Sequence, residues 1–216
     1  MKYFFSIFLL IGLTSCANIN TSNIAPGYTQ AYSALKQYFT GFQNTIEPQV
    51  IKNIPYASML VKIGNGPTAL MILESKNNDD YSWVSADGVY LIINNGKIIK
   101  THGLSNNLNE TLTPSIIWSD DLYDNKDFVS YRSFSLPTLN NLKVISSYSK
   151  NTPSDVELMF TKKKLTLIEE QIHSKEVGWS ALNQYWVDDS NFVWKSVQNI
   201  SPRLPEVHIE VTKKPL

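Results

Sequence analysis

The chain has 216 residues, 43% of them hydrophobic and 12% aromatic, which suffices for one buried core and excludes a disordered body. Lysine plus arginine equals aspartate plus glutamate at 19 each, so no net field draws the chain to nucleic acid or to an acidic membrane surface. A single cysteine excludes an internal disulfide framework and a cysteine-rich zinc site, and its position becomes the first question.

Lys2 gives a positive start, Tyr3 to Gly12 form a mostly apolar run, and Leu13-Thr14-Ser15-Cys16 follows at once. A run of roughly ten residues falls short of the about 20 that a helix needs to cross a hydrocarbon core, so it reads as a targeting segment. Aliphatic Leu13 and small Thr14 and Ser15 before the sole cysteine form a lipobox, the pattern a signal peptidase must fit while cutting ahead of a thiol that carries diacylglycerol. Residues 1–15 are therefore expected to be a signal peptide and Cys16 the lipidated first residue of the mature chain. Several acyl chains on one residue anchor far more firmly than one. Ala17 stands where retained inner-membrane lipoproteins commonly carry Asp, which points to the outer membrane. Residues 16–27, rich in Asn, Thr, Ser, Pro and Gly, read as the lipidated cysteine and a flexible tether, and 28–216 as a single β-rich domain.

In that domain Tyr28, Ala31, Tyr32, Leu35, Phe39 and Phe42 recur at helical spacing, which predicts one N-terminal amphipathic helix ending near Gly41. After Pro48 the chain reads as short β-branched and aromatic runs between turn residues, the pattern of an antiparallel sheet. Hairpins are predicted for Ala57 to Ile63 with Ala69 to Leu73 across Gly64-Asn65-Gly66-Pro67, and for Val89 to Ile93 with Lys97 to Lys100 across Asn94-Asn95-Gly96. A third joins Tyr185 to Val187 and Phe192 to Lys195 across Asp188-Asp189-Ser190-Asn191. Asn-Gly is the strongest of these signals, because a type I′ turn needs positive φ at both central residues. Val156 to Phe160 and Leu165 to Ile172 suggest a further long ribbon, with an alternation that breaks around Ile168, and Ser105 to Ser115 reads as a polar loop. A sheet this long must curl to protect its edges, so the expected architecture is mainly β: an antiparallel barrel or half-barrel, in preference to a sandwich.

Chemistry-bearing patterns are sparse. His102, His173 and His208 stand far apart, outside any recognisable metal or nucleophile motif, and no Gly-x-Ser-x-Gly is present. No metal site or cofactor is expected from them. Asp79-Asp80, Asp120-Asp121 and Asp188-Asp189 are the carboxylate pairs a glycosidase would need. The first and last fall in predicted turns, where aspartate bonds its own backbone, so a structural role is favoured. Of the five tryptophans, Trp83, Trp186 and Trp194, with Asp87 and Asp188, are the candidates for contact with a glycan or a partner protein, since exposed tryptophan stacks well on sugar rings. Trp186 and Trp194 lie on opposite arms of one hairpin and are candidates to pair across it.

A resemblance joins several of these segments. Ile54-Pro55-Tyr56-Ala57-Ser58-Met59, Ile63-Gly64-Asn65-Gly66-Pro67, Trp83-Val84-Ser85-Ala86-Asp87-Gly88, Tyr185-Trp186-Val187-Asp188-Asp189, and Val193-Trp194-Lys195-Ser196 with Ile200-Ser201-Pro202 resemble, in order, the YjbF/GfcB family of capsule lipoproteins. The stretch from about Leu104 to Pro153 matches least. The resemblance implies an outer-membrane lipoprotein facing the periplasm, which works beside a periplasmic partner and an outer-membrane β-barrel partner in exopolysaccharide or group 4 capsule production. Polysaccharide itself is a candidate ligand, and nucleic acid is not. It implies no enzymatic activity. Three molecular readings remain: a noncatalytic assembly or secretion factor, a glycan-active enzyme using paired carboxylates, and a lipid or glycolipid carrier with an apolar cavity.

Overall fold

The computed structural model describes residues 46–113, 118 and 126–215. Cys16, the tether, the helix expected over 28–41 and the Asp120-Asp121 pair lie outside the described residues. A short helix, α1 (Pro48–Lys52), precedes the strands, with proline in its first turn, where the missing N–H costs nothing. Thirteen strands follow among the described residues: β1 (Ser58–Ile63), β2 (Thr68–Asn77), β3 (Asp80–Ser85), β4 (Tyr90–Asn94), β5 (Lys97–His102), β6 (Leu108–Leu112), β7 (Phe128–Phe134), β8 (Leu139–Lys150), β9 (Ser154–Leu158), β10 (Thr161–Ser174), β11 (Trp179–Val187), β12 (Val193–Gln198) and β13 (Val207–Lys213).

Every ladder is antiparallel, and the order β5-β4-β3-β2-β1-β13-β12-β11-β10-β8-β7-β6 brings the last strand back beside the first. The two ends of this path, β5 and β6, lie side by side. At that seam the Thr101 hydroxyl accepts from the Leu108 N–H at 2.9 Å. The sheet is thus a nearly closed barrel, which manages the exposed-edge problem as expected. β9 stands aside and pairs only with the first residues of β10.

The predicted hairpins form where their turns place them. Asn95 and Gly96 take φ of 46° and 80°, as the β4–β5 turn requires. Two expectations are corrected. The polar stretch read as loop contains β6, whose apolar residues, Leu108 and Leu112, stand four apart and so give no period-two signal. The ribbon expected between 156–160 and 165–172 is shorter, because β9 and β10 are joined through only Met159 and Phe160. So tight a connection commits Thr161–Leu165 to β9 and leaves Ile168–His173 to β8 and Thr166–Ser174 to β11.

Alternation sends Met59 and Val61 of β1, Leu142 and Val144 of β8, and Val207, Ile209 and Val211 of β13 into one interior cluster with Trp83 and Leu91. Outside, Ile51 of α1 covers Leu70, Ile72 and Val84, with Ile54 and Phe160 beside them. β2 is therefore apolar toward both faces, which explains the unbroken buried run Leu70-Met71-Ile72. Elsewhere the outer face is mixed, with Lys143, Ser147, Ser149 and Gln171 exposed beside Leu112, Val129, Tyr131 and Leu182.

Candidate functional site: a charged centre inside the barrel

Glu170 of β10 points into the barrel between Ile168 and Ile172 and is 0% exposed. A carboxylate can persist there only if its oxygens are fully paired. Oε1 accepts from Lys97 Nζ at 2.6 Å, Ser146 Oγ at 2.8 Å and Tyr148 OH at 2.8 Å. Oε2 accepts from Asn183 Nδ2 at 2.9 Å and Tyr185 OH at 2.8 Å. Lys97 Nζ also donates to Tyr148 OH at 2.8 Å. These donors come from β5, β8 and β11, so the centre ties the seam strand to the middle of the sheet.

Burial by itself pushes the Glu170 carboxyl up. The Lys97 and Arg132 charges, then hydrogen bonds from Asn183 and Lys97, overcome this and hold it well below the usual carboxylate range. Burial pulls the Lys97 ammonium below the usual lysine value of 10.5, opposed in part by Glu170. Tyr148 and Tyr185 are raised well above 10.0, first by burial and then by the neighbouring carboxylate. Glu170 is ionised and saturated with donors, an arrangement suited to fixing strands rather than to exchanging protons.

Beside this centre a cavity of about 190 Å³ opens between the β4–β5 turn and strands β6 to β8. Its wall includes Lys97, Thr111, Phe128, Ser130, Arg132 and Tyr148, and no carboxylate lines it among the described residues. Arg132 is 6% exposed; its Nη1 donates to the Asn199 and Ile200 carbonyls, both at 3.3 Å, and its guanidinium lies 5.5 Å from the Trp179 ring. Arg132 Nε and Thr111 Oγ1 are buried without a hydrogen-bond partner.

The β4–β5 turn is shared with a second cavity of about 230 Å³, into which Met59, Tyr81, Trp83 and Phe192 face, with Lys195 and Lys214 on its wall. The turn reaches β12 through Gln198, which accepts from Ile98 N–H at 2.9 Å and donates to Gly96 O at 2.8 Å. A side chain at Gly96 would collide with Val193. Trp118 donates from Nε1 to Asn95 O at 3.0 Å and lies against Tyr185 with ring centroids 4.9 Å apart.

The sequence candidates fall in different places. Trp83 is 3% exposed and can meet only what enters the second cavity. Asp87 is exposed in the β3–β4 turn and accepts from the Ser85 hydroxyl. Asp188 organises the β11–β12 turn: Oδ1 accepts from Ser190 N–H at 2.8 Å, Ser190 Oγ at 2.6 Å and Phe192 N–H at 3.0 Å, while Oδ2 accepts from Trp194 Nε1 at 2.7 Å. Burial pushes its carboxyl up, and the hydrogen bonds, led by Ser190 and Trp194, outweigh this and hold it below the usual range. Trp186 does not pair with Trp194. A bulge between Trp186 and Val187 sets Lys195 opposite Trp186, with its ammonium 5.4 Å from the ring. Lys163 instead lies 4.2 Å from the Trp194 ring. His208 pairs with Glu206 at 3.1 Å and His102 packs edge-on to Tyr90. Among the described residues no three His, Cys, Asp or Glu side chains converge as a metal would require. Sequence reasoning passed over Glu170, although an acid two residues from an isoleucine on each side of a strand was its signal.

Comparison with known proteins places this barrel. The model of the family described as group 4 capsule polysaccharide lipoprotein gfcB, YjbF matches residues 32–212. The chain belongs to this family. Among relatives, it is similar to the lipoprotein GfcB of Escherichia coli K12, at 26% identity over 165 residues, covering 68% of this chain and 70% of the relative. The lipoprotein YjbF of the same organism is 22% identical over 152 residues, covering 68% and 71% respectively. The crystal structure of the E. coli K12 lipoprotein YmcC superimposes with a TM-score of 0.70 at 19% identity, over 89% of this chain and 98% of that one, which shows a shared fold.

Proposed function

We propose that the protein is a lipid-anchored envelope protein that serves, without catalysis, in assembling or exporting surface polysaccharide at the periplasmic face of the outer membrane. The observation that carries this reading is the family match over 32–212, since that family is one of capsule polysaccharide lipoproteins. Cys16, at the end of a lipobox, supplies the anchor, and periplasmic and outer-membrane β-barrel proteins of an export system are the partners.

The interior favours a binding or assembly role. Glycoside hydrolysis needs two carboxyl groups roughly 5 to 10 Å apart across a sugar. Glu170 is committed to its donors, Asp188 to its turn, and among the described residues neither cavity has a carboxylate on its wall. Carriage of an acyl chain is disfavoured by polarity, because the first cavity carries Lys97, Ser130, Arg132 and Ser146 on its wall and the second carries Ser190, Asn191, Lys195 and Lys214.

Deleting the gene should lower cell-surface polysaccharide under inducing conditions, and the wild-type chain should restore it. Cys16→Ala should fail to restore it and should appear in the soluble periplasmic fraction. Surface polysaccharide unchanged by the deletion would overturn the role, and a Cys16→Ala protein that stays with the membrane would overturn the anchor.

A further inference from the structure

We propose that the cavity beside Glu170 binds a single carboxylate-bearing sugar ring, of the uronic acid class, with the carboxylate set against Arg132. The choice of a sugar rests on the polysaccharide reading above; the choice of a monoanion rests on the cavity itself.

Charge is the first argument. Lys97, at 2.6 Å, and Arg132 both act on Glu170, so two cations share one carboxylate and one positive charge is left in surplus. Arg132 cannot shed its proton, and a buried positive charge that one carboxylate does not fully balance is costly. No carboxylate on the cavity wall answers it among the described residues. Its Nη1 is taken by two backbone carbonyls, while its Nε is buried without a partner, so the guanidinium keeps unused donor capacity. One surplus charge matches a carboxylate, whereas a phosphate group brings about 1.5 to 2 negative charges at neutral pH.

Polarity and size narrow the ligand further. Thr111 Oγ1 is buried on the same wall without a partner, an expense that a well-packed protein seldom keeps unless something satisfies it. Ser130 and Ser146 add hydroxyls, and Asn94 adds an amide held in place by Asp80 at 2.6 Å. Phe128 and Tyr148 offer ring surface on the same wall, as sugar recognition requires. A volume of about 190 Å³ exceeds the roughly 150 Å³ that holds a benzene ring, so one six-membered ring with substituents fits and a disaccharide does not.

The test is calorimetric titration of the full-length protein in detergent, at low salt, with glucuronate, glucose and inorganic phosphate in turn. Glucuronate is expected to bind at least ~10-fold tighter than either of the others, the discrimination expected of one desolvated ion pair. Thr111→Val keeps shape and removes the orphan hydroxyl; it should weaken glucuronate binding ~3- to 10-fold while leaving the melting midpoint unchanged or higher. Arg132→Met should erase the preference for glucuronate over glucose. Should that variant fail to fold, Thr111→Val still decides the matter. The proposal is overturned by phosphate or glucose binding as tightly as glucuronate, by no binding at millimolar concentrations, or by Thr111→Val leaving affinity unaltered. A protein needed for surface polysaccharide that ignores glucuronate sinks this inference alone. One that binds glucuronate but is dispensable for surface polysaccharide sinks the functional reading and leaves the cavity assignment standing.

Discussion

The two sides of the barrel interior are built on opposite principles. Around β1 to β4 and β13 it is built from Met59, Met71, Trp83, Leu91 and Ile209, an apolar cluster. Around β8, β10 and β11 it is organised by Glu170, with Ser146, Tyr148, Asn183 and Tyr185 turned toward one carboxylate and Lys97 crossing from β5. Apolar packing loses stability in proportion to the volume removed, whereas a buried polar network depends on each member being present. The difference can be broken open by mutation. Glu170→Ala leaves Lys97 and Arg132 buried without a counter-charge and should cost ~3–5 kcal/mol in urea unfolding. Met71→Ala leaves only a cavity and should cost ~2–5 kcal/mol. The distinguishing result is rescue: Lys97→Met added to Glu170→Leu should return much of the lost stability, because a well-packed apolar pair often replaces a buried ion pair at little cost. If the double variant is no more stable than Glu170→Leu alone, the two sides do not differ in the way described.

Protons probe the same contrast without changing a residue. The folded Glu170 pKa is depressed, so its contribution is present above the ordinary value of 4.5 and is lost progressively as pH falls below it. The Tyr148 and Tyr185 pKa values are raised, so their contribution is intact below 10.0 and is lost as pH climbs from there toward the folded values. Melting midpoints should therefore hold steady between these limits and fall on both sides, with Tyr148→Phe and Tyr185→Phe flattening the alkaline limb. Since Met59, Met71, Trp83, Leu91 and Ile209 on the apolar side do not titrate, an acid limb of the same size in Glu170→Leu/Lys97→Met would show that the surface, not the centre, governs acid stability.

The apolar side was far more legible in the sequence than the polar one. β1, β2, β4 and β5 announce themselves by β-branched runs and by Gly64 and Asn95-Gly96, whose positive φ the turns require. β7 and β8 place Ser130, Arg132 and Ser146 inward, so the polar and apolar positions no longer alternate and the strands are hard to read. In β10 the break seen near Ile168 reflects a change of surroundings: Leu165 is buried on one face and Ile168, Glu170 and Ile172 on the other. A buried Glu170 looks like a solvent-facing residue until its partners, 13 to 73 positions away in sequence, are brought together by the fold. The tryptophans show the converse, because composition marks them but only the sheet decides that Trp83 faces inward while Trp194 is tied to Asp188.

Asp188 and Asp87, both turn aspartates, give the smallest effects and the finest comparison. Asp188 receives two backbone N–H groups, a hydroxyl and the Trp194 indole, and so joins its turn to an aromatic that Lys163 also covers. Asp87 is exposed and receives one hydroxyl. Asp188→Ala releases several donors at once and should cost ~1–2 kcal/mol, a drop in melting midpoint of about 3–6 °C for a domain of this size. Asp87→Ala should stay within ~0.5 kcal/mol, as an exposed substitution in a turn that Gly88 already fixes, with φ of 82°. Equal midpoints for the two variants would mean that the indole bond adds nothing and that the β11–β12 turn is held by backbone alone. If instead Asp87→Ala melts like wild type but lowers surface polysaccharide, its carboxylate meets a partner, and the β3–β4 turn becomes the part of the rim to crosslink first.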